Sequence, residues 1–327
     1  EPHQRRRVVR RRAVLTKMWA AAPSLVAAGV RFAGGLVAVA AFVFVALVAT
    51  LWYFQRQLIF PRVAVNGPAT IPLRRGHLVR VDVSKEGRPK GVPAAIVAAH
   101  FPPPPPTAND DAAANGERPW TLVFWHGNAD QIGNVGDALG HELRRALRVG
   151  FLAVEYPGYA LCPDGEPTER TLHWTARRAI EYAVSDLGVP KDRLCAFGQS
   201  IGTAVAARAA ADGLAAKLVM LSPFTSIPDV CRAVFPFVPR PELFIADRFE
   251  TTALADRLRD SKVPTLILHG TRDEIVPFEQ GKRLAALIGG DRTTFVELPN
   301  AGHNDTFAPV PRLRFINEID RFLKASF

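Results

Sequence analysis

Short apolar runs alternate with segments of helical periodicity along most of the chain beyond residue 119. Continuous apolar runs of this length predict strands buried on both faces, and apolar residues at helical spacing predict helices between them. The predicted strands are Trp120–Trp125, Phe151–Glu155, Leu194–Phe197, Lys217–Leu221, Thr265–His269 and Thr294–Leu298. The predicted helices are Ala138–Leu147, Leu172–Ser185, Thr203–Ala211, Gln280–Leu287 and Pro311–Leu323. Such alternation predicts an α/β fold with a mostly parallel sheet covered on both faces.

The segments outside this alternation have patterns of their own. Residues 77–84 alternate apolar and polar positions, and residues 92–99 form an apolar run, so a pair of strands is predicted with a turn between them. Residues 101–119 contain a proline tract followed by small and polar residues, which predicts a solvated, mobile loop. Residues 223–262 are longer than a crossover needs, and we expect them to form a cap over a site.

An uncharged apolar run extends from Phe32 to Phe54, and this is long enough to cross a bilayer. A buried core helix seldom stays apolar on every face for so long. A cleaved signal peptide fits less well, because the apolar run is too long and no small-residue cleavage site follows it. We therefore predict a transmembrane helix at 32–54, a basic segment at 1–31 and a catalytic domain at 55–327. Because basic residues are denser before the span than after it, the N-terminus is expected in the cytoplasm and the domain in a lumen or outside the cell.

The net charge of +10 comes largely from the N-terminal segment. A nuclear-localisation or RNA-binding tract is the alternative interpretation, but the neighbouring apolar span explains these charges directly, and we expect no nucleic-acid partner. Cys162, Cys195 and Cys231 form neither a disulfide framework nor a metal pattern, although a Cys162–Cys231 bridge stays open. No metal-binding or dinucleotide motif occurs, so neither a metal nor an organic cofactor is implied.

Polar residues follow several predicted strands at the edge where ligands of open α/β sheets bind. Ser200 lies between a strand and a helix in "GQSIG", Asp273 lies in "GTRDEIVP", and His303 lies in "PNAGHND". A serine, an acid and a histidine in this order are typical of hydrolases with a nucleophile elbow. Gly198 and Gly202 would allow the sharp turn and the close approach of the helix to the strand. Glu274 is a rival acid, and His126 of "HGN" is expected to shape its loop.

These segments, together with "FWHGNA" and "YFQRQLIFP", resemble the α/β-hydrolase superfamily over about residues 50 to 325. The sequence is most similar to single-pass, membrane-anchored α/β-hydrolase-domain serine hydrolases, including the Bem-type branch. The resemblance implies an eight-stranded, mostly parallel sheet with a short helical cap. It also implies Ser200 as the nucleophile, His303 as the base and Asp273 as the orienting acid. By similarity, the backbone amides of Asn128 and Ile201 form the oxyanion hole.

One segment departs from the pattern of these relatives, because Ala160 and Cys162 occupy positions where a glycine and a serine are often found. The departure leaves the substrate preference open. We expect an enzyme that cleaves a carboxylic ester or thioester of a lipid-like acyl group through an acyl-serine intermediate. The alternatives are a protein depalmitoylase that faces the cytoplasm, a serine peptidase, and a catalytically silent membrane scaffold. The sequence does not predict the oligomeric state.

Overall fold

The computed structural model describes residues 2–61, 70–83, 87–107, 117–305 and 308–327, without the side chains of 2–18, 20–29, 309 and 310. The chain divides into two compact units, Glu1–Phe54 and Gln55–Phe327. Most side chains of the predicted basic segment, part of the proline loop and Ser84 of the first predicted strand lie outside these described parts.

The first unit is helical throughout its described residues and belongs to helix α1, Pro2–Ile59. Within the described residues, Val30–Ile59 is the one helical stretch long and apolar enough to cross a membrane, by length and composition. Its apolar side chains, for example Phe32 and Phe42, are exposed to the surroundings. The helix thus extends beyond the predicted span of 32–54 at both ends.

The second unit is built around a sheet of eight strands formed by its described residues, in the order β1-β2-β4-β3-β5-β6-β7-β8. The strands are β1 His77–Asp82, β2 Ala95–Phe101, β3 Thr121–Trp125, β4 Gly150–Val154, β5 Leu194–Gln199, β6 Lys217–Leu221, β7 Thr265–Gly270 and β8 Thr293–Leu298. Strands β3 to β8 pair in parallel, whereas β2 is antiparallel to β1 and β4. The predicted, mostly parallel sheet is confirmed.

The second strand differs most from its prediction, because β2 begins three residues later and continues to Phe101. Pro93 has no backbone N–H to donate to a ladder, which favours a start beyond it. Phe101 pairs with Phe151 of β4 and therefore belongs to the sheet, not to the proline loop. The described start of that loop contacts the helix Asp137–Leu147 and the residue after it. Arg144 and Arg148 donate hydrogen bonds to the carbonyls of Pro102 and Pro105.

Helices cover both faces of the sheet, as predicted. They are α2 Asp137–Leu147, α3 Glu169–Ser185, α4 Ile201–Ala211, α5 Ile227–Val234, α6 Ala255–Asp260, α7 Phe278–Ile288 and α8 Pro309–Lys324. One apolar core joins the sheet to α3, α4, α6 and α7, and a second core joins its other face to α2 and α8. Helix α4 is alanine-rich and almost wholly buried, because small side chains let it lie directly on the sheet.

The long connection between β6 and β7 contains the predicted cap segment, residues 223–262, and a crossover helix. It contains α5, a short 3₁₀ turn at Pro241–Leu243 and α6, which packs against the core. Residues just after Phe54 bind this connection: Gln55 accepts a hydrogen bond from the amide of Ala246 at 2.8 Å, and Arg56 pairs with Asp247 at 3.3 Å. All three cysteines are free, so the possible Cys162–Cys231 bridge is absent, and Cys195 is buried in the core.

Candidate active site

Ser200 occupies a strained turn between β5 and α4. Its backbone has φ 52° and ψ −120°, a conformation that residues with a Cβ rarely adopt. The backbone amide of Ser200 donates to the carbonyl of Leu221 at 2.9 Å, which ties the turn to the neighbouring strand β6. The residue is only 8% exposed. The surrounding structure therefore holds the serine in a conformation that it would not adopt alone.

Two glycines make this turn sterically possible. A Cβ on Gly198 would lie 2.1 Å from the carbonyl oxygen of Gly202, and one on Gly202 would lie 2.1 Å from that of Trp125. Non-bonded atoms do not approach each other this closely, so only glycine fits at either position. The same close approach brings the start of α4 against the end of β3, where the "HGN" loop begins.

Asp273 and His303 form a hydrogen-bonded pair. The imidazole Nδ1 of His303 lies 2.7 Å from Oδ2 of Asp273, and the carboxylate is fully buried. The other oxygen of Asp273 accepts hydrogen bonds from the amides of Ile275 at 3.0 Å and Val276 at 2.8 Å. Burial raises the pKa of Asp273, but hydrogen bonds from His269 and His303 outweigh burial and hold this pKa well below its usual range. The carboxylate is therefore ionised and can orient the imidazole.

Ser200 follows β5, Asp273 follows β7 and His303 follows β8, and these parallel strands end at the same edge of the sheet. The structure thus brings Asp273 and His303 into direct contact and holds Ser200 at the same edge. No hydrogen bond joins the hydroxyl of Ser200 to the ring of His303, both of which lie in the described part of the chain. Hydrogen bonds between catalytic groups are often long without substrate and tighten in the reactive complex.

Glu274, the rival acid, has a different task. Its Oε2 accepts a hydrogen bond from the backbone amide of His303 at 3.2 Å, while the ring of His303 binds Asp273. Asp305 accepts one from the amide of Gly302 at 3.0 Å. These two carboxylates hold the backbone of the loop that carries the histidine.

The "HGN" loop passes next to Ser200, since a Cβ on Gly127 would lie 3.7 Å from the Cβ of Ser200. Asn128 is the next residue, and Ile201 is the first residue of α4. The sequence-predicted donors therefore belong to the two segments that flank the serine. Behind the loop, the fully buried side chains of His126 and Glu155 lie 2.8 Å apart.

Several polar residues at this edge were not predicted from the sequence. The buried His269 places its Nε2 3.3 Å from Oδ2 of Asp273 and 3.0 Å from the carbonyl of Val276. Glu155 is the last residue of a predicted strand, and Tyr156 and Tyr159 lie in the turn that follows it. The position of the two tyrosines just past a strand end was a usable signal, because that edge of the sheet also carries Ser200 and Asp273. His269 lies within β7 and gave no such signal.

Among the residues that the structure describes, no group of three or more His, Cys, Asp or Glu side chains is arranged to hold a metal ion. The carboxylates of Asp273 and Glu155 at the sheet edge instead bind histidine rings and backbone amides. The arrangement can activate a hydroxyl through an imidazole and stabilise negative charge through backbone amides.

Comparison with known proteins agrees with this arrangement. The sequence profile of the alpha/beta hydrolase family matches residues 122–257. The chain is 34% identical to the alpha/beta hydrolase domain-containing protein aho-3 of Caenorhabditis elegans over 189 residues, and these residues make up 57% of this chain. It is 35% identical over 194 residues to protein bem46 of Schizosaccharomyces pombe, again 57% of this chain. These matches span 53% of aho-3 and 62% of bem46.

A longer match joins the chain to the uncharacterized protein Rv2307c of Mycobacterium tuberculosis, with 31% identity over 275 residues, 83% of this chain and 88% of that protein. Among solved structures, apo esterase 2 of Thermogutta terrifontis is similar in fold, with a TM-score of 0.56, 16% identity and coverage of 77% of this chain and 95% of the esterase. The sheet order, the elbow and these relatives agree: the chain belongs to the α/β-hydrolase family, and it resembles the Bem-type branch of that family.

Proposed function

We propose that this chain is a serine hydrolase that cleaves a carboxylic ester or thioester of a lipid-like acyl group through an acyl-Ser200 intermediate. The observation that carries the proposal is the strained turn of Ser200 at the sheet edge that also holds the bonded pair of Asp273 and His303. Family membership supports hydrolase chemistry in general. The serine mechanism and the acyl substrate go beyond it.

In the proposed reaction, the Ser200 oxygen attacks the acyl carbonyl while Nε2 of His303 takes the hydroxyl proton. Asp273 accepts a hydrogen bond from Nδ1–H of His303, which fixes the tautomer and stabilises the imidazolium. The amides of Asn128 and Ile201 would donate to the developing oxyanion, and loss of one such donor typically lowers kcat by about 10²–10³. The imidazolium then protonates the leaving group, and water repeats the sequence on the acyl-enzyme.

The cap supports a lipid-like substrate. Val234, Phe237 and Leu243 of the cap are 48%, 53% and 69% exposed, and exposed apolar side chains mark a binding surface where they form one contiguous patch. An acyl chain would cover such side chains, whereas a sugar or a charged metabolite would not. Gln55 and Arg56 also tie the chain to the cap within two residues of the end of the predicted span.

Membrane anchoring through α1 is part of the proposal. The Val30–Ile59 stretch supports it by length and composition, and the basic residues before Phe32 support a cytoplasmic N-terminus. Protease protection in sealed microsomes tests the orientation. Digestion of the catalytic domain from outside would place it in the cytoplasm, and protein depalmitoylation would then be the preferred activity.

Labelling by a fluorophosphonate probe tests the serine mechanism. We expect the full chain to be labelled and Ser200→Ala to be unlabelled, with Ser222→Ala as a control serine that lies after the next strand. Retained labelling of Ser200→Ala would refute the nucleophile. A panel of p-nitrophenyl esters and acyl thioesters of increasing chain length tests the substrate class, and activity that does not rise with chain length would refute the lipid-like assignment.

A further inference from the structure

Three successive carbonyl groups of the "HGN" loop each lie within hydrogen-bond distance of a side chain, two of them from tyrosines behind the loop and one from His126 itself. The hydroxyl of Tyr156 donates to the carbonyl of His126 at 2.6 Å, and the hydroxyl of Tyr159 donates to that of Asn128 at 2.8 Å. Between them, the carbonyl of Gly127 lies 2.8 Å from Nδ1 of His126. The backbone amide of Asp130 also donates to Gly127, at 3.3 Å.

The bond to Gly127 determines the direction of the Asn128 amide. In a trans peptide unit, the carbonyl of one residue and the N–H of the next lie in one plane and point in opposite directions. A carbonyl of Gly127 held towards His126 therefore turns the N–H of Asn128 away from that ring. Ser200 flanks the same loop at Gly127. The amide of Asn128 is the one that the proposed mechanism assigns to the oxyanion.

The protonation of the His126 ring follows from its two partners. A carbonyl oxygen only accepts, so Nδ1 must carry a proton and donate it to Gly127. Nε2 lies 2.8 Å from Oε1 of Glu155, and one further proton is shared between these two atoms. Glu155 also accepts hydrogen bonds from the amides of Ile132 and Tyr156, both at 3.2 Å. The pair therefore holds one proton on Nδ1 of His126 and one between Nε2 and Oε1 of Glu155.

The electrostatics of the pair agree with this assignment. Burial lowers the pKa of His126, but the hydrogen bond and the charge of Glu155 outweigh burial and leave this pKa above its ordinary value. Both side chains are fully buried. A buried pair of this kind is weak evidence for stability, because the loss of water offsets the attraction between its members.

We propose that His126 is a positioning residue, which holds the peptide unit Gly127–Asn128 through its Nδ1–H so that the Asn128 amide faces the oxyanion, while Glu155 fixes the protonated ring. The inference rests on the proposed function for its effect on catalysis. The geometry of the ring and its protons does not rest on it.

Two substitutions separate the two ends of the ring. The side-chain amide of His126→Asn reaches the place of Nδ1 and can still donate to Gly127, whereas that of His126→Gln reaches the place of Nε2 and can only bind Glu155. Since the oxyanion exists only in the transition state, we expect His126→Gln to lower kcat about tenfold or more with little change in KM. We expect His126→Asn to stay closer to wild type. His141→Gln on α2 is the control, and thermal unfolding compares the folded state of all variants.

Wild-type kcat in His126→Gln, or an equal loss in both variants, would overturn the proposal. Nitrogen-15 NMR of the histidine rings of the full chain in detergent decides it independently of activity. We expect protons on both ring nitrogens of His126 and a scalar coupling from Nδ1 to the carbonyl carbon of Gly127. An unprotonated Nδ1 would also overturn the proposal. A wild-type chain with these NMR signals but without esterase activity would instead refute the proposed function.

Discussion

Replacement of Ser200 by glycine should give a more stable protein than replacement by alanine. Both variants remove the hydroxyl group and differ only in the Cβ, so their difference measures the strain of the turn. At φ 52° and ψ −120° a residue with a Cβ is strained, and glycine is not. Such strain is worth about 1–3 kcal/mol in the free energy of unfolding.

Glycine also makes the unfolded chain more flexible, which lowers stability by about 0.4–1 kcal/mol relative to alanine. The net expectation is that the free energy of unfolding of Ser200→Gly exceeds that of Ser200→Ala by roughly 0.5–2 kcal/mol, or about 1–4 °C in Tm. Ser261 provides the matched control, because it ends α6 with an ordinary φ of −72°. There the order should reverse, and Ser261→Gly should be about 0.5–1 kcal/mol less stable than Ser261→Ala.

Urea unfolding and thermal unfolding of the four variants measure these differences. If Ser200→Gly were less stable than Ser200→Ala by as much as glycine is at Ser261, the turn would carry no strain, and the reasoning from the backbone angles would fail. If both sites showed glycine as the more stable residue, the effect would not come from φ. Activity plays no part in this comparison, because all Ser200 variants lack the nucleophile.

Three further predictions concern the same sheet. Gly202→Ala should lower both the stability and kcat, because its Cβ would lie 2.1 Å from the carbonyl oxygen of Trp125 and displace the "HGN" loop. Thermal unfolding and ester hydrolysis measure the two effects, and full activity would contradict the close approach. Lys217→Met should lower the free energy of unfolding, measured in urea, by about 2–4 kcal/mol. The reason is that Nζ donates hydrogen bonds to the carbonyls of Phe322, Leu323 and Ala325 at the end of α8, and methionine cannot donate them. An unchanged unfolding midpoint would contradict this prediction. Asp273 has a pKa below its unfolded value, so its contribution to stability is present above about pH 4 and is lost as the pH falls through its folded pKa. Asp273→Asn should therefore flatten the acid side of the stability profile in pH-dependent unfolding, and an unchanged profile would show that the carboxylate is not stabilised.

The alternation of apolar strands and helices could be predicted from the sequence because each buried strand must be apolar on both faces. Ser200, Asp273 and His303 could be named for a related reason: a polar residue just after such a strand has few positions other than the sheet edge. Element ends were less predictable. Helix α3 begins at Glu169, three residues before its predicted start, because Thr168 and Thr171 form a reciprocal capping box.

The polar contacts behind the site were not predictable in the same way. Glu155 and His126 are far apart in sequence, and nothing in either segment indicates that the carboxylate binds the ring. The position of His269 within an apolar strand suggested a core residue, and only the folded structure brings its Nε2 close to Asp273. Such pairs depend on which strands become neighbours, and the periodicity of a single segment carries no information about that.

These contacts explain how loops at the edge of an apolar sheet keep a fixed geometry. Ser200 is strained, and the "HGN" and His303 loops have no regular secondary structure around the residues that would react. Each loop is instead held by a carboxylate: Glu155 through His126, and Glu274 through the amide of His303. Glu155 is buried, and because a buried carboxylate is unfavourable without partners, Glu155 and the "HGN" loop stabilise one another. Glu274 is exposed and acts through its hydrogen bond to the amide of His303. Loss of one acid should therefore disorder the loop that it holds before it unfolds the sheet.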